Sequence, residues 1–410
     1  MKGTGRVFYG WVIVGCAGFA LLVANGFTIG GISVFDESLL REFGWSRATL
    51  KFRDLLTFAI AGLFGPFVGY LADRFGVRRL MMTGSVLLSI ALLLYARIGS
   101  AGGMYGVHVI LGFVLLTCGL IVNVMLVSRW FVRRRGLALG VLTGGASLGG
   151  AAFPQVCAWL LNAYGWRTSF TILASLGGML FVLVLLLVKE YPADVGLEPM
   201  GAADTAARKS DPPQGIGYAA ALRTPTFWAI AVTATTTFYS VMAVSAHLFL
   251  HLRAQGFEPA AAARGLSFLF FAGLIGKFSV GYMADIFPRR RVLQGSLLLM
   301  FAGSVCLVSG RPGAIWPFVA LFGFGWGGIY TLLQFLTVNS FGLKAAGKIL
   351  GTISVVDALG GGLGPWVTGM LYDRTHSYQT AFMLVAGLLF VAFATASTVR
   401  IASSATSEAP

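Results

Sequence analysis

The sequence predicts an all-α membrane protein of twelve transmembrane helices, arranged as two pseudo-symmetric six-helix bundles. Three observations carry that expectation. Of 410 residues, 57% are hydrophobic and only 11% are charged, against about 25% charged in a soluble domain. The apolar residues gather into runs of about 20, the length that crosses a hydrocarbon core. Landmarks of the first half also recur in the second at a nearly constant spacing, the mark of an internal repeat.

A water-soluble core cannot hide this much apolar side chain, whereas lipid solvates the outward faces of helices directly. The 55 glycines suit helices that pack by close backbone approach. The formal net charge is +15, but the Lys and Arg residues sit between apolar runs rather than along one face. They read as topology signals, which argues against a nucleic-acid partner. Cys16, Cys118, Cys157 and Cys306 all fall inside apolar runs without metal-ligand spacing and read as small packing residues.

The first run, Val7 to Phe35, is far longer than the core of a cleavable signal peptide and is expected to be a helix. Eleven further runs follow at 46–71, 79–97, 103–128, 137–163, 166–188, 224–251, 259–284, 291–309, 314–339, 348–372 and 377–402. The second and eighth carry charges. One set of connections is rich in cations: Lys2 and Arg6, then Arg74, Arg78 and Arg79, then Arg129 with Arg133 to Arg135, then Arg289 to Arg291, then Lys344 and Lys348. The alternate set holds Asp36, Glu37, Glu42, Glu258 and Asp373. That bias places both termini in the cytoplasm, with the chain in the inner cell membrane. The only long polar stretch, Lys189 to Arg223, contains Pro192, Pro199, Pro212 and Pro213 and reads as a cytoplasmic linker. The expected division is therefore 1–188 as an N-terminal bundle, 189–223 as linker and 224–410 as a C-terminal bundle.

The repeat is specific. Gly69-Tyr-Leu-Ala-Asp73-Arg74-Phe-Gly-Val-Arg78-Arg79 follows the second run, and Gly281-Tyr-Met-Ala-Asp285-Ile-Phe-Pro-Arg289-Arg290-Arg291 follows the eighth, with Asp285 212 residues after Asp73. Gly136, Gly140 and Pro154 match Gly347, Gly351 and Pro365, each 211 residues later. Gly112 and Asn123 match Gly323 and Gln334 at that same offset. Parallel half-repeats of this kind build alternating-access carriers with a midplane site between the halves.

The stretch Gly69 to Arg79 resembles the loop signature of the major facilitator superfamily. That resemblance implies the major facilitator fold and a gating role for Asp73, Arg74, Arg78 and the second-copy Asp285. A narrower resemblance covers most of the chain, to the bacterial monocarboxylate and oxalate:formate carriers. It rests on Tyr9-Gly-Trp11, Phe43-Gly-Trp-Ser-Arg-Ala48, Trp130-Phe-Val-Arg-Arg-Arg-Gly-Leu-Ala138, Tyr191-Pro-Ala-Asp-Val-Gly-Leu-Glu-Pro199 and Leu222-Arg-Thr-Pro-Thr-Phe-Trp228. It implies a carrier of small organic anions coupled to protons or to a counter-anion; the chain is expected to work as a monomer. Such carriers often place an Arg in the eighth helix, where this chain has Lys277. Some dicarboxylate exchangers carry a second cation in the eleventh, where this chain has Asp357. A monocarboxylate moving with a proton fits these departures better than a dicarboxylate.

Ionisable groups at membrane depth are costly and usually face a cavity or a partner. Lys277 lies eight residues before Asp285, about 12 Å into the core. It is the candidate substrate anchor, with Gly273, Gly276 and Gly281 expected to leave room for a ligand. Asp357 lies ten residues beyond Gly347, about 15 Å deep. It is the candidate for proton coupling, free to pair with Lys277 when substrate is absent. His247, with His251 a turn away, is a candidate for substrate or gate contact. Asn123, Tyr330 and Gln334 are the remaining substrate-binding candidates, and Asn339 is a further polar group in the same helix as Gln334. Arg53 and Asp54 are adjacent, point to different faces, and read as an interfacial pair or a gate contact.

No nucleophile elbow, phosphate-binding loop or metal-spaced His appears, so the sequence predicts neither an enzyme nor a cofactor. A proton-driven exporter of hydrophobic compounds is the alternative function. Such exporters usually carry an Arg in the fourth helix and a Gly-Pro pair in the fifth, where this chain has His108 and Phe153-Pro154. A receptor that binds without transport would need an output domain, and no soluble stretch is long enough for one.

Overall fold

The computed structural model describes residues 8–202, 215–342 and 344–399. Lys2, Arg6, the middle of the linker with Pro212 and Pro213, and the end of the last apolar run lie outside the described residues. Among those residues the chain is helical and forms no β-strand.

In the first bundle, α1 (Gly10–Asn25) passes through a π turn at Gly26–Gly31 and a 3-10 turn at Ile32–Phe35 into α2 (Asp36–Phe43). Gly44, at φ 64°, ends it in a left-handed C-cap. The hydroxyl of Ser46 accepts from the Thr49 N–H and starts α3 (Arg47–Phe64), which bends at Gly65–Phe67 into α4 (Val68–Phe75). Next come α5 (Val77–Tyr95), α6 (Ala101–Cys118), α7 (Leu120–Trp130), α8 (Arg135–Leu173) and α9 (Ser175–Leu187). The linker holds a 3-10 turn at Pro192–Val195 and the short α10 (Tyr218–Leu222). The second bundle is α11 (Pro225–Ala254), α12 (Pro259–Ile286), α13 (Arg289–Val308), α14 (Ile315–Gly327), α15 (Ile329–Phe341), α16 (Ala346–Thr375) and α17 (Gln379–Thr398). Pro225 and Pro259 each stand at the first turn of a helix, where a missing N–H costs nothing.

Ten helical stretches among the described residues are long and apolar enough to cross a membrane, two fewer than expected. The stretch Arg135–Leu187 runs 53 residues, about 80 Å if it were straight. Gly165, at φ 70° inside α8, breaks it into two lengths, each long enough to cross alone. The other shortfall is α16, whose 30 residues include Lys348, Asp357 and a run of glycines that dilute its apolar content. It packs between α3 and α11. The first run also continues beyond Phe35 as α2. Asp36, expected in a connecting loop, is therefore fully buried, because two cations on α3 neutralise it.

The repeat is visible in the packing. A Cβ on Gly112 would sit 3.0 Å from the Thr57 carbonyl oxygen, pressing α6 onto α3. Its counterpart Gly323 would meet the Leu269 carbonyl oxygen at 2.5 Å, pressing α14 onto α12. A Cβ on Gly149 would meet the Leu22 carbonyl oxygen at 2.3 Å, and one on Gly360 that of Thr235 at 2.7 Å, so α8 meets α1 as α16 meets α11. Only glycine permits these approaches, which is how membrane helices gain dispersion contact.

The Tyr9 hydroxyl donates to the Leu187 carbonyl (2.7 Å), so the start of α1 and the linker share one end of the molecule. At this linker end, Glu190 accepts from the Val77 N–H (3.0 Å) and pairs with Arg129 (2.5 Å), placing a carboxylate on the N-terminus of α5. The Val132 and Arg133 amides donate to the Met200 carbonyl at 3.0 and 2.8 Å, which straps the linker along the turn between α7 and α8. Exposed apolar side chains such as Trp159, Leu186 and Phe390 cover the outward faces, as a lipid environment requires.

Candidate functional site

α3 carries three buried charged residues across the interior, and neighbouring helices satisfy two of them, Lys51 and Arg53. Lys51 and Arg53 are fully buried, and Asp54 is 9% exposed. Lys51 Nζ donates to Asp36 Oδ2 (2.5 Å), and Arg53 pairs with the other oxygen of Asp36. Arg53 also donates to the Tyr95 hydroxyl (2.9 Å). The Thr57 hydroxyl stands 2.9 Å from His108 Nδ1. Asp54 lies 3.8 Å from Lys51 Nζ and 3.6 Å from Arg53 Nε, and its Oδ2 has no hydrogen-bond partner among the described residues. The two acids and two bases sum to zero, which limits the cost of holding charge away from water. From sequence, Arg53 and Asp54 formed a local pair. The structure makes them part of a four-residue cluster whose key partner, Asp36, comes from another helix.

Beside this cluster, between the bundles, lies a cavity of about 20 Å³ lined by Thr28, Ser33, Lys51, Asp54, Met242, Ser245 and other side chains. The side bearing Met242 and Ser245 belongs to the second bundle, so the cavity sits on the line along which the bundles meet.

Lys277 is half-buried on α12. Its Nζ reaches across to the first bundle and donates to the Thr143 carbonyl (3.1 Å) and the Ser147 hydroxyl (3.0 Å) of α8. No carboxylate of a described residue pairs with it, Asp357 included. Gly273 and Gly276, expected to leave ligand space, are instead filled by α14. A Cβ on Gly276 would lie 2.0 Å from the Phe324 carbonyl oxygen, and one on Gly273 3.3 Å from Trp326. Gly281 alone faces open space. Asp357 on α16 is half-buried, and its Oδ1 is buried without a hydrogen-bond partner among the described residues, as is the Tyr330 hydroxyl. The Tyr330 ring packs edge-on against Phe238, which packs on Phe58 of the first bundle.

The other candidates scatter. His247 is fully buried, with Nδ1 3.2 Å from the Tyr378 hydroxyl and Nε2 2.8 Å from the Pro365 carbonyl oxygen, so both ring nitrogens serve helix contacts. His251 packs against Tyr378 and Phe382. Asn123 is fully buried, and its amide donates to the Cys118 and Gly119 carbonyls at 2.8 Å each. It thereby satisfies the break between α6 and α7. Gln334 and Asn339 are exposed on α15. At the linker end Asp73 and Asp285 are exposed. Arg74 donates to the Tyr70 hydroxyl (2.9 Å), and Arg78 to the Leu185 carbonyl (2.5 Å).

The opposite, distal end is closed by contacts that join the two bundles. Arg253 of α11 makes a two-pronged pair with Glu37 of α2 (2.7 and 3.2 Å). Asp373 of α16 accepts from the Arg47 and Ala48 N–H groups at 3.0 and 2.8 Å. The Arg47 guanidinium lies 3.4 Å from the centre of the Tyr372 ring and hydrogen-bonds Tyr378. In the sequence Glu37 and Asp373 stood out only as sparse loop charges. Their partners are backbone amides and a distant Arg, which leave no local pattern.

A half-buried cation bridging two helical bundles, a closed distal end and mirrored helix packing are the geometry of a carrier. Comparison with known proteins agrees. The sequence profile of the Major Facilitator Superfamily matches residues 16–365 and 265–409. Monocarboxylate transporter 13 of Bos taurus is 28% identical over 391 residues, covering 93% of this chain and 87% of that protein. The uncharacterized MFS-type transporter YcxA of Bacillus subtilis is 24% identical over 88% of this chain and 89% of its own. Among solved structures, a D-xylose-proton symporter superposes with TM-score 0.75 at 15% identity, over 96% of this chain and 98% of that one. The nucleoside transporter NupG gives 0.73 at 13% identity, over 96% and 100%.

Proposed function

The chain belongs to the major facilitator superfamily, and from that premise we propose that it is a secondary active transporter of a small monocarboxylate, carried with a proton by alternating access. The observation that carries this reading is the Lys277 ammonium, held among the described residues by the neutral acceptors Thr143 and Ser147 and by no carboxylate. A cation at that depth without a counter-ion is costly, and a carboxylate supplies the missing charge through a charge-assisted bond about twice as strong as a neutral one. Because Lys277 and its acceptors sit on opposite bundles, an anion that captures it also loosens a contact between them. Several relatives are monocarboxylate transporters, in keeping with one anchor and one charge. A dicarboxylate would leave its second charge unpaired.

Asp357, half-buried with its Oδ1 lacking a hydrogen-bond partner among the described residues, is the proposed carrier of the coupled proton, with Tyr330 near it. Asn123 and His247 have the proposed role of holding helix geometry around the site, and Gln334 that of lining the approach on α15. Asp73, Arg74, Arg78 and Asp285 have the proposed role of governing the opening of the linker end. We place that end, both termini and the linker 189–223 in the cytoplasm, between bundles 1–188 and 224–410.

The test is uptake of lactate and pyruvate into proteoliposomes under an imposed pH gradient. Losing the anchor costs about 1.5–3 kcal/mol, so Lys277→Gln weakens binding about 10- to 100-fold, while Lys277→Arg keeps the charge and part of the affinity. Asp357→Asn uncouples uptake from the gradient and retains counterflow. A Lys277→Gln protein that accumulates lactate with unchanged affinity sinks the proposal. So does a wild type that ignores short acids and expels hydrophobic cations.

A further inference from the structure

The cluster around Asp36 holds more than structural need explains. Lys51 and Arg53 are satisfied by Asp36 and Tyr95. Asp54 is not: both its ion contacts exceed hydrogen-bond length, and its Oδ2 is buried with no hydrogen-bond partner among the described residues. It borders the inter-bundle cavity of about 20 Å³, and about 10–15 Å³ suffices for one water molecule. Thr28, Ser33 and Ser245 add hydroxyls to the same wall. An acid with an idle oxygen, beside space for one water, on the line where the bundles part, is placed to exchange a proton whenever the cavity opens to solvent.

We propose that this cavity is a proton-binding site in the first bundle, with Asp54 as the acceptor and separate from Asp357 in the second. A hydronium ion entering the cavity gives its proton to Asp54 Oδ2, forms one O–H bond there and leaves behind the water that fills the space. The charged and titratable groups around Asp54 are Lys51 and Arg53 on its own helix, Asp36 on α2, Tyr95 on α5, His108 on α6 and His247 on α11. With Asp54 ionised, the two acids and two bases cancel. With Asp54 protonated, the cluster carries one net positive charge, which the Lys51 ammonium presents to the cavity. An anion drawn between the bundles then restores neutrality, so proton and anion each favour the other. The proton site does not depend on the solute, whereas its coupling to an anion rests on the carrier reading above.

Infrared difference spectroscopy of the purified full-length protein during pH titration, with no solute added, reads the carbonyl stretch of a protonated carboxylic acid. We expect a titrating band in the wild type that is absent from Asp54→Asn and retained in Asp357→Asn. An identical band in Asp54→Asn overturns the site. If that variant does not fold, Asp54→Glu keeps an acid in a changed position, and its band moves to a different titration midpoint; an unmoved midpoint is equally fatal. In proteoliposomes, lactate accumulation driven by the pH gradient is lost in Asp54→Asn. Full accumulation in a variant that lacks the band overturns the coupling. A wild type that carries no lactate refutes the proposed solute while the infrared result still decides the proton site.

Discussion

The Asp373 carboxylate is the sharpest lever on the balance between open and closed distal ends. Its two oxygens accept from the Arg47 and Ala48 amides at 3.0 and 2.8 Å. These are the first N–H groups of α3, which have no partner inside their own helix. An anion at a helix N-terminus contributes about 0.3–1 kcal/mol when exposed and up to about 2 when partly buried. The contact joins α16 to α3 and so forms only while the bundles meet at this end. After separation, water replaces it on both sides. Asp373→Ala therefore costs the closed state about 1–2 kcal/mol, a factor of about 5–30 in the closed-to-open ratio. Ser33 borders the inter-bundle cavity and is 1% exposed, so a cysteine there reports opening. With Cys16, Cys118, Cys157 and Cys306 replaced, Ser33→Cys reacts slowly with an impermeant maleimide added from the distal side. Adding Asp373→Ala should raise that rate by about 5- to 30-fold. Arg47→Ala leaves both amide donors in place and should raise it less. An unchanged or slower rate in the Asp373→Ala background would refute the idea that this carboxylate holds the end shut.

Two further outcomes follow from the same geometry. Asp73 is exposed at the linker end, so Asp73→Asn should slow transport without altering the order of preferred solutes; a reordered panel would mean that Asp73 touches substrate. Cysteines placed singly at Gly102 and at Thr205, which lies outside the described residues, should label from opposite faces of the membrane, and labelling at position 205 from outside intact cells would invert the topology.

Much of the fold was legible because it is written in residue identity. The 211-residue offset linking Gly112 to Gly323 reappears as the same close approach of α6 to α3 and of α14 to α12. Glycine has one common use at a helix crossing, so its recurrence translates directly into packing. The charges translated less well. Lys277 was visible as a lone cation in an apolar run, but its partners are a backbone carbonyl and a serine, common groups that carry no signal. Asp36 was read as a loop acid because the apolar run stops at Phe35. Its burial depends on Lys51 and Arg53 arriving from the next helix, a tertiary fact. Gly273 and Gly276 were read as space for a ligand, yet a glycine gap is equally a seat for a neighbouring helix, and α14 occupies it.

The neutrality of the cluster on α2 and α3 has an electrical consequence. Any unbalanced charge carried across the whole membrane feels about 2.3 kcal/mol per 100 mV of potential. With Asp54 ionised, Asp36, Lys51, Arg53 and Asp54 sum to zero and would contribute no net displacement of charge if their bundle moved; a proton on Asp54 adds one positive charge. The voltage then acts chiefly on Lys277, on Asp357 and on whatever charge the solute brings. An anion accompanied by one proton brings none, so the solute pair adds nothing to the charge on which the potential acts.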